Sequence, residues 1–86
     1  MNLIRFWFNF EKSNPIPLGL HLGCGVTAYN YDDALLILRS KIFKNDYRMT
    51  IKDYIQDVDL RTLDSHHILP NILPPNNRGI WYPIGY

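Results

Sequence analysis

The stretch Gly23-Cys24-Gly25-Val26-Thr27-Ala28-Tyr29-Asn30-Tyr31-Asp32-Asp33-Ala34-Leu35-Leu36 constrains the fold more than any other, because a β-type run passes there into an amphipathic helix. Asn30 has the side chain of an N-cap. Asp32 and Asp33 follow in the first turn, where carboxylates meet free N–H groups and the positive end of the helix dipole. Tyr31, Ala34, Leu35, Leu38 and Ile42 make the i, i+3/i+4, i+7 stripe, and Arg39, Lys41 and Lys44 load the other end with positive charge. Leu36, Ile37 and Phe43 widen the apolar arc, so the helix is expected to pack on a sheet with part of its flank also covered. Asn45 is the expected terminator.

Around this junction the periodicity predicts strands. In Leu3 to Phe10, the residues Ile4, Phe6, Phe8 and Phe10 form a wholly apolar face opposite Leu3, Arg5, Trp7 and Asn9. Ser13-Asn14-Pro15-Ile16-Pro17 is turn chemistry. A second extended segment runs from about Leu20 to Tyr29, where Gly23 and Gly25 mark a bulge or a close backbone approach. Residues Thr50 to Leu63 fit both periods: Ile51, Tyr54, Ile55 and Val58 have helical spacing, and Tyr54 to Arg61 also alternates. A turn near Thr50 followed by a strand from Tyr54 to Arg61 is the preferred reading. Residues 64–77 form a proline-rich loop whose apolar side chains, Ile68, Leu69, Ile72 and Leu73, must cover something. Arg78 to Tyr86 is β-type, and Pro83 assigns it to an edge or terminal strand. The expected architecture is one α+β domain over residues 1–86, in the order β-β-α-β-β, with a mostly antiparallel sheet and one helix on one face.

Size makes the aromatic residues important. A chain of 86 residues has a small core, and its two Trp, four Phe and six Tyr are the obvious means of filling it. The net charge of +1, with neither sign in a block, argues against nucleic acid as the main ligand, since duplex binders draw affinity from a basic stripe. One cysteine cannot form an internal disulfide, which fits a reducing compartment. No signal-peptide pattern or bilayer-length apolar run is present, so a cytoplasmic protein without membrane association is expected.

Reactive constellations are sparse. Gly23-Cys24-Gly25-Val26-Thr27-Ala28 satisfies the loose G-x-G-x-x-A dinucleotide pattern, but extended character continues through Tyr29 before the helix begins. Cys24 with His21, His66 or His67, and Asp64 as an orienter, is the alternative reading as a small enzyme. A lone cysteine is more often a small buried hydrophobe. Asp64, His66 and His67 are the nearest approach to a metal set, without zinc-site spacing. Arg78-Gly79-Ile80-Trp81-Tyr82 has the basic-Gly-aromatic style of a single-stranded RNA platform, broken by Ile80 and Pro83. No catalytic residue, cofactor or metal is therefore expected.

Taken together, Phe6-x-Phe8, the run Gly23 to Tyr29, Asp32-Asp33-Ala34-Leu35, Asp57-Val58-Asp59, Thr62-Leu63-Asp64, Pro70-Asn71 and Arg78 to Pro83 resemble a group of small uncharacterised bacterial proteins. In scale and type the chain is also similar to immunity proteins of contact-dependent inhibition and other polymorphic toxin systems. That resemblance implies a non-enzymatic module that binds and neutralises a cognate toxin. Immunity proteins share no motif, so the candidate site comes from residue chemistry alone: Trp7, Tyr82 and Tyr86 as aromatic anchors, and Asp57, Asp59 and Asp64 to meet a basic, nuclease-like partner. Self-association through the final strand, giving a homo-oligomeric regulatory or structural domain, is a further alternative.

Overall fold

The computed structural model describes residues 2–11, 20–43, 50–63, 68, 72 and 74–83. In chain order its elements are β1 (Ile4–Phe10), a 3-10 turn (Leu20–Leu22), β2 (Cys24–Ala28), α1 (Tyr31–Lys41), β3 (Ile51–Gln56), a second 3-10 turn (Leu60–Thr62) and β4 (Gly79–Tyr82). The protein is α+β, with the β-β-α-β-β order that the patterning predicts. All pairings are antiparallel and the strands lie in the order β3-β1-β2-β4. Hence β1 and β2 are internal, and β3 and β4 are edges.

Alternation in β1 does the sorting. Phe6, Phe8 and Phe10 point to the α1 side and are buried together with Cys24, Val26 and Ala28 of β2, Ile80 of β4, and Ala34, Ile37 and Leu38 of α1. Each such Phe contributes about 1.5–3 kcal/mol by leaving water, so this layer is the principal core. The cap forms as the sequence predicts: Asp33 N donates to Asn30 Oδ1 at 2.8 Å, and Tyr29 N donates back to Asp33 Oδ2 at 3.1 Å. Arg78, just before β4, adds a fork onto the same carboxylate, with Nε at 2.9 Å and Nη2 at 2.5 Å. At the other end Ile42 N and Phe43 N both donate to Leu38 O, which turns Ile42 and Phe43 into the core. Leu36 departs from the expected covered flank: it is 61% exposed, because α1 lies over β2 and β4 and its far side faces solvent.

The opposite face of the sheet carries a second core of Trp7, Val58, Ile68, Trp81 and Tyr82, flanked by Leu60, Leu63 and Ile72. The register explains how two consecutive β4 residues join it. Gly25 pairs with Tyr82 and Val26 with Ile80, so Trp81 is the extra residue of a bulge. Its ring lies on Gly25, where an added Cβ would sit 2.5 Å from ring carbons. The Trp7 ring lies on Gly23 in the same way, at 2.6 Å, and Gly23 also has φ +115°. Both glycines thus mark the close backbone approach expected of them. The rings of Trp7 and Trp81 are 5.8 Å apart and those of Trp7 and Tyr82 are 5.6 Å apart, within the range of favourable aromatic pairs. Ile68 and Ile72 show what the proline-rich segment covers; Leu69 and Leu73 lie outside the described residues.

Three boundaries differ from the sequence expectation. Residues Leu20–Leu22 form a 3-10 turn, and the strand begins only at Cys24, after the left-handed Gly23. β3 runs from Ile51 to Gln56 instead of Tyr54 to Arg61, because its partner β1 offers Phe10 to Ile51 and Asn9 to Asp53, with Asn9 Nδ2 donating to Asp53 Oδ1 at 2.7 Å. The strand stops where Asp57 takes φ +56°. β4 spans Gly79–Tyr82 and is an edge strand as Pro83 implied; residues 84–86 and Asn45 lie outside the described residues.

Candidate functional site

Two of the proposed aromatic anchors are internal. Trp7 is 4% and Tyr82 7% exposed, both in the second core, so neither is presented to a partner. The polar face assigned to Trp7 is real at Arg5 and Asn9, but Val58, Leu60, Leu63, Ile68 and Ile72 cover its middle. Tyr86 and Asp64 lie outside the described residues.

Asp57 and Asp59 are exposed but do not line a strand. Asp57 makes the left-handed turn after β3. Asp59 caps the second 3-10 turn, accepting from Arg61 N at 3.0 Å, and binds the Arg61 guanidinium through Nε at 3.1 Å and Nη2 at 2.9 Å. That fork, then the backbone N–H, holds the Asp59 carboxyl below the usual carboxylate range. Its charge is therefore largely met by Arg61. Aspartate tolerates the left-handed region and caps turns well, which is why the Asp57-Val58-Asp59 alternation imitates a strand without forming one.

The exposed apolar surface lies instead on β3. Tyr54 is 45% and Ile55 47% exposed, on opposite faces of an edge strand in which every residue after Ile51 is open to solvent. On the α1 side the Tyr54 ring stacks on Phe8 at 5.8 Å and meets Tyr31 at 4.6 Å, which fixes its position while one edge stays free. Ile55 sits opposite Trp7 on the other face. Lys52 and Asp53 provide charge of both signs along the strand. Sequence reasoning missed this pair because the ambiguous periodicity placed them at the start of a strand running on to Arg61; the available signal was a strand following the helix with no second apolar face to bury.

The remaining candidates resolve individually. Cys24 is fully buried in the principal core and burial pushes its thiol pKa up, so it sits there as a small hydrophobe. The side chains of His21, His66 and His67 lie outside the described residues. Among the described residues no three His, Cys, Asp or Glu side chains come together as a metal set. The glycines of the G-x-G-x-x-A run lie under tryptophan rings, and the α1 N-terminus is engaged by Asp33 and Arg78. Arg78 is tied to Asp33, while Trp81 and Tyr82 are buried, so that basic-aromatic run offers no open stacking platform. Among the described residues no helix is long and apolar enough to cross a membrane. No protein-family model, curated protein or solved structure matches the chain.

Proposed function

We propose that this protein is a non-enzymatic module that binds another protein by adding a partner strand to the outer edge of β3. Its most concrete form is a small cytoplasmic immunity protein that captures a cognate toxin. The observation that carries the reading is the β3 edge: among the described residues nothing pairs with its outer side, and Tyr54 and Ile55 stand half exposed on its two faces. In strand addition the backbone supplies affinity and alternate side chains supply selectivity. Lys52 and Asp53 on the same strand oppose indiscriminate edge pairing. The acidic contribution to a basic partner comes from Asp53 and Asp57, since Asp59 is neutralised by Arg61.

The test is affinity capture from the native host with the wild type and with a Tyr54→Lys/Ile55→Lys variant of verified fold. The reading expects one protein retained by the wild type and reduced by at least about tenfold with the variant, as for loss of central anchors. Equal retention by both proteins, or no retained protein, contradicts it.

A further inference from the structure

On the face of the sheet away from α1, beyond the Trp7 layer, lies an open cleft of about 240 Å³ lined by Leu3, Arg5, Thr27, Asp57, Pro75 and Asn76. The sheet holds its walls. Register places Arg5 opposite Thr27, and Thr27 Oγ1 donates to Pro75 O at 2.5 Å, which pins the Pro75-Asn76 wall to β2. Across the cleft, Val58 N donates to Arg5 O at 3.1 Å and so fixes the chain just after Asp57. Asp57 itself makes the left-handed turn that ends β3, at φ +56°, a conformation aspartate tolerates.

One cation and one anion thus line the same small cleft without satisfying each other: among the described residues neither Arg5 nor Asp57 forms an ion pair. The field of Arg5 reaches Asp59, whose carboxylate is already forked by Arg61. Leu3 and Pro75 add an apolar wall, and the Asn76 amide adds a donor and an acceptor. The volume is below the roughly 300–1,000 Å³ of sites for drug-sized molecules.

We infer that this cleft binds a free α-amino acid with a short apolar side chain. Its carboxylate meets the Arg5 guanidinium, its ammonium meets Asp57, and its side chain rests on Leu3 and Pro75. A zwitterion is the class that answers both charges within one small body, and the fork of an arginine suits a carboxylate.

The test is titration of the full chain, followed by amide NMR, with L-valine and its two truncations: isovalerate, which lacks the ammonium, and isobutylamine, which lacks the carboxylate. Expected are saturable shifts at the amides of Arg5, Asp57 and Asn76 with L-valine, and affinity at least about tenfold weaker for each truncation, as for loss of a charge-assisted hydrogen bond. Arg5→Gln and Asp57→Asn, each with an unchanged remaining spectrum, should weaken L-valine by a similar factor. Leu36→Lys, on the solvent side of α1 and away from the cleft, should leave it unchanged. Absence of saturable shifts with both L-valine and L-alanine overturns the inference, as does isovalerate binding as well as L-valine, or indifference to Arg5→Gln.

Discussion

Replacing Gly25 with alanine tests the second core at its tightest point. The new Cβ would lie 2.5 Å from the carbons of Trp81, against about 3.5–4.0 Å for a comfortable carbon contact, so the indole must retreat by about 1 Å. It has little room to do so, being 1% exposed and in contact with Trp7. Overpacking of this kind costs about 1–3 kcal/mol, reduced by the roughly 0.4–1 kcal/mol that alanine returns through a less flexible unfolded chain. The net loss of about 1–2 kcal/mol is a substantial part of the roughly 4–13 kcal/mol expected for a chain of 86 residues. It should lower Tm by about 5–15 °C. Urea unfolding followed by far-ultraviolet circular dichroism measures it, and a cycle with Trp81→Leu isolates the cause: the smaller side chain should remove at least about 1 kcal/mol of the Gly25→Ala penalty. A neutral Gly25→Ala, or strict additivity in the cycle, would refute the argument that the tryptophan needs a bare backbone beneath it.

Other outcomes follow from the same geometry. Arg78 first, and the Tyr29 N–H second, hold the Asp33 carboxyl below its usual range, so the associated stability is present above the unfolded pKa near 3.9 and is lost as pH falls through the lower folded value. The stability gap between wild type and Asp33→Asn should therefore narrow in acid below about pH 4, as urea midpoints across pH will show; a gap that widens contradicts the pairing. Alkylation of Cys24 at neutral pH should proceed at the rate of unfolding and accelerate with urea, because the thiol is buried in the principal core; rapid labelling of the folded chain would place it at the surface. Asp57→Gly should be more stable than Asp57→Ala by about 1 kcal/mol, since glycine adopts positive φ freely and alanine does not; equal midpoints would mean that the turn is not left-handed.

How far the sequence could be read depended on whether a signal was local. β1 was legible because its odd and even residues differ sharply in polarity, and α1 because Asn30, Asp32 and Asp33 act within one turn of the helix they start. The glycines at 23 and 25 announced a close approach, but not that tryptophans 16 and 56 residues away would be the ones approaching. Trp7 was misassigned because a strand shows only its own two faces; the cover over its polar side comes from Val58, Ile68 and Ile72, which no periodicity connects to β1. Asp57 and Asp59 were misread because one residue of positive φ and one turn cap produce the same two-residue spacing as a strand. The β3 edge was hidden for a related reason: which strand lies outermost is decided by pairing, and Tyr54 and Ile55 become candidates only once β1 is known to turn its other side to β2.

Amide hydrogen exchange across β3, with the protein free and then bound to the partner captured from its host, tests the strand-addition account most directly. The account predicts that alternate amides within Ile51–Gln56, those directed away from β1, exchange readily in the free protein and slow markedly in the complex. Unchanged exchange throughout β3 in a complex that remains bound would contradict it.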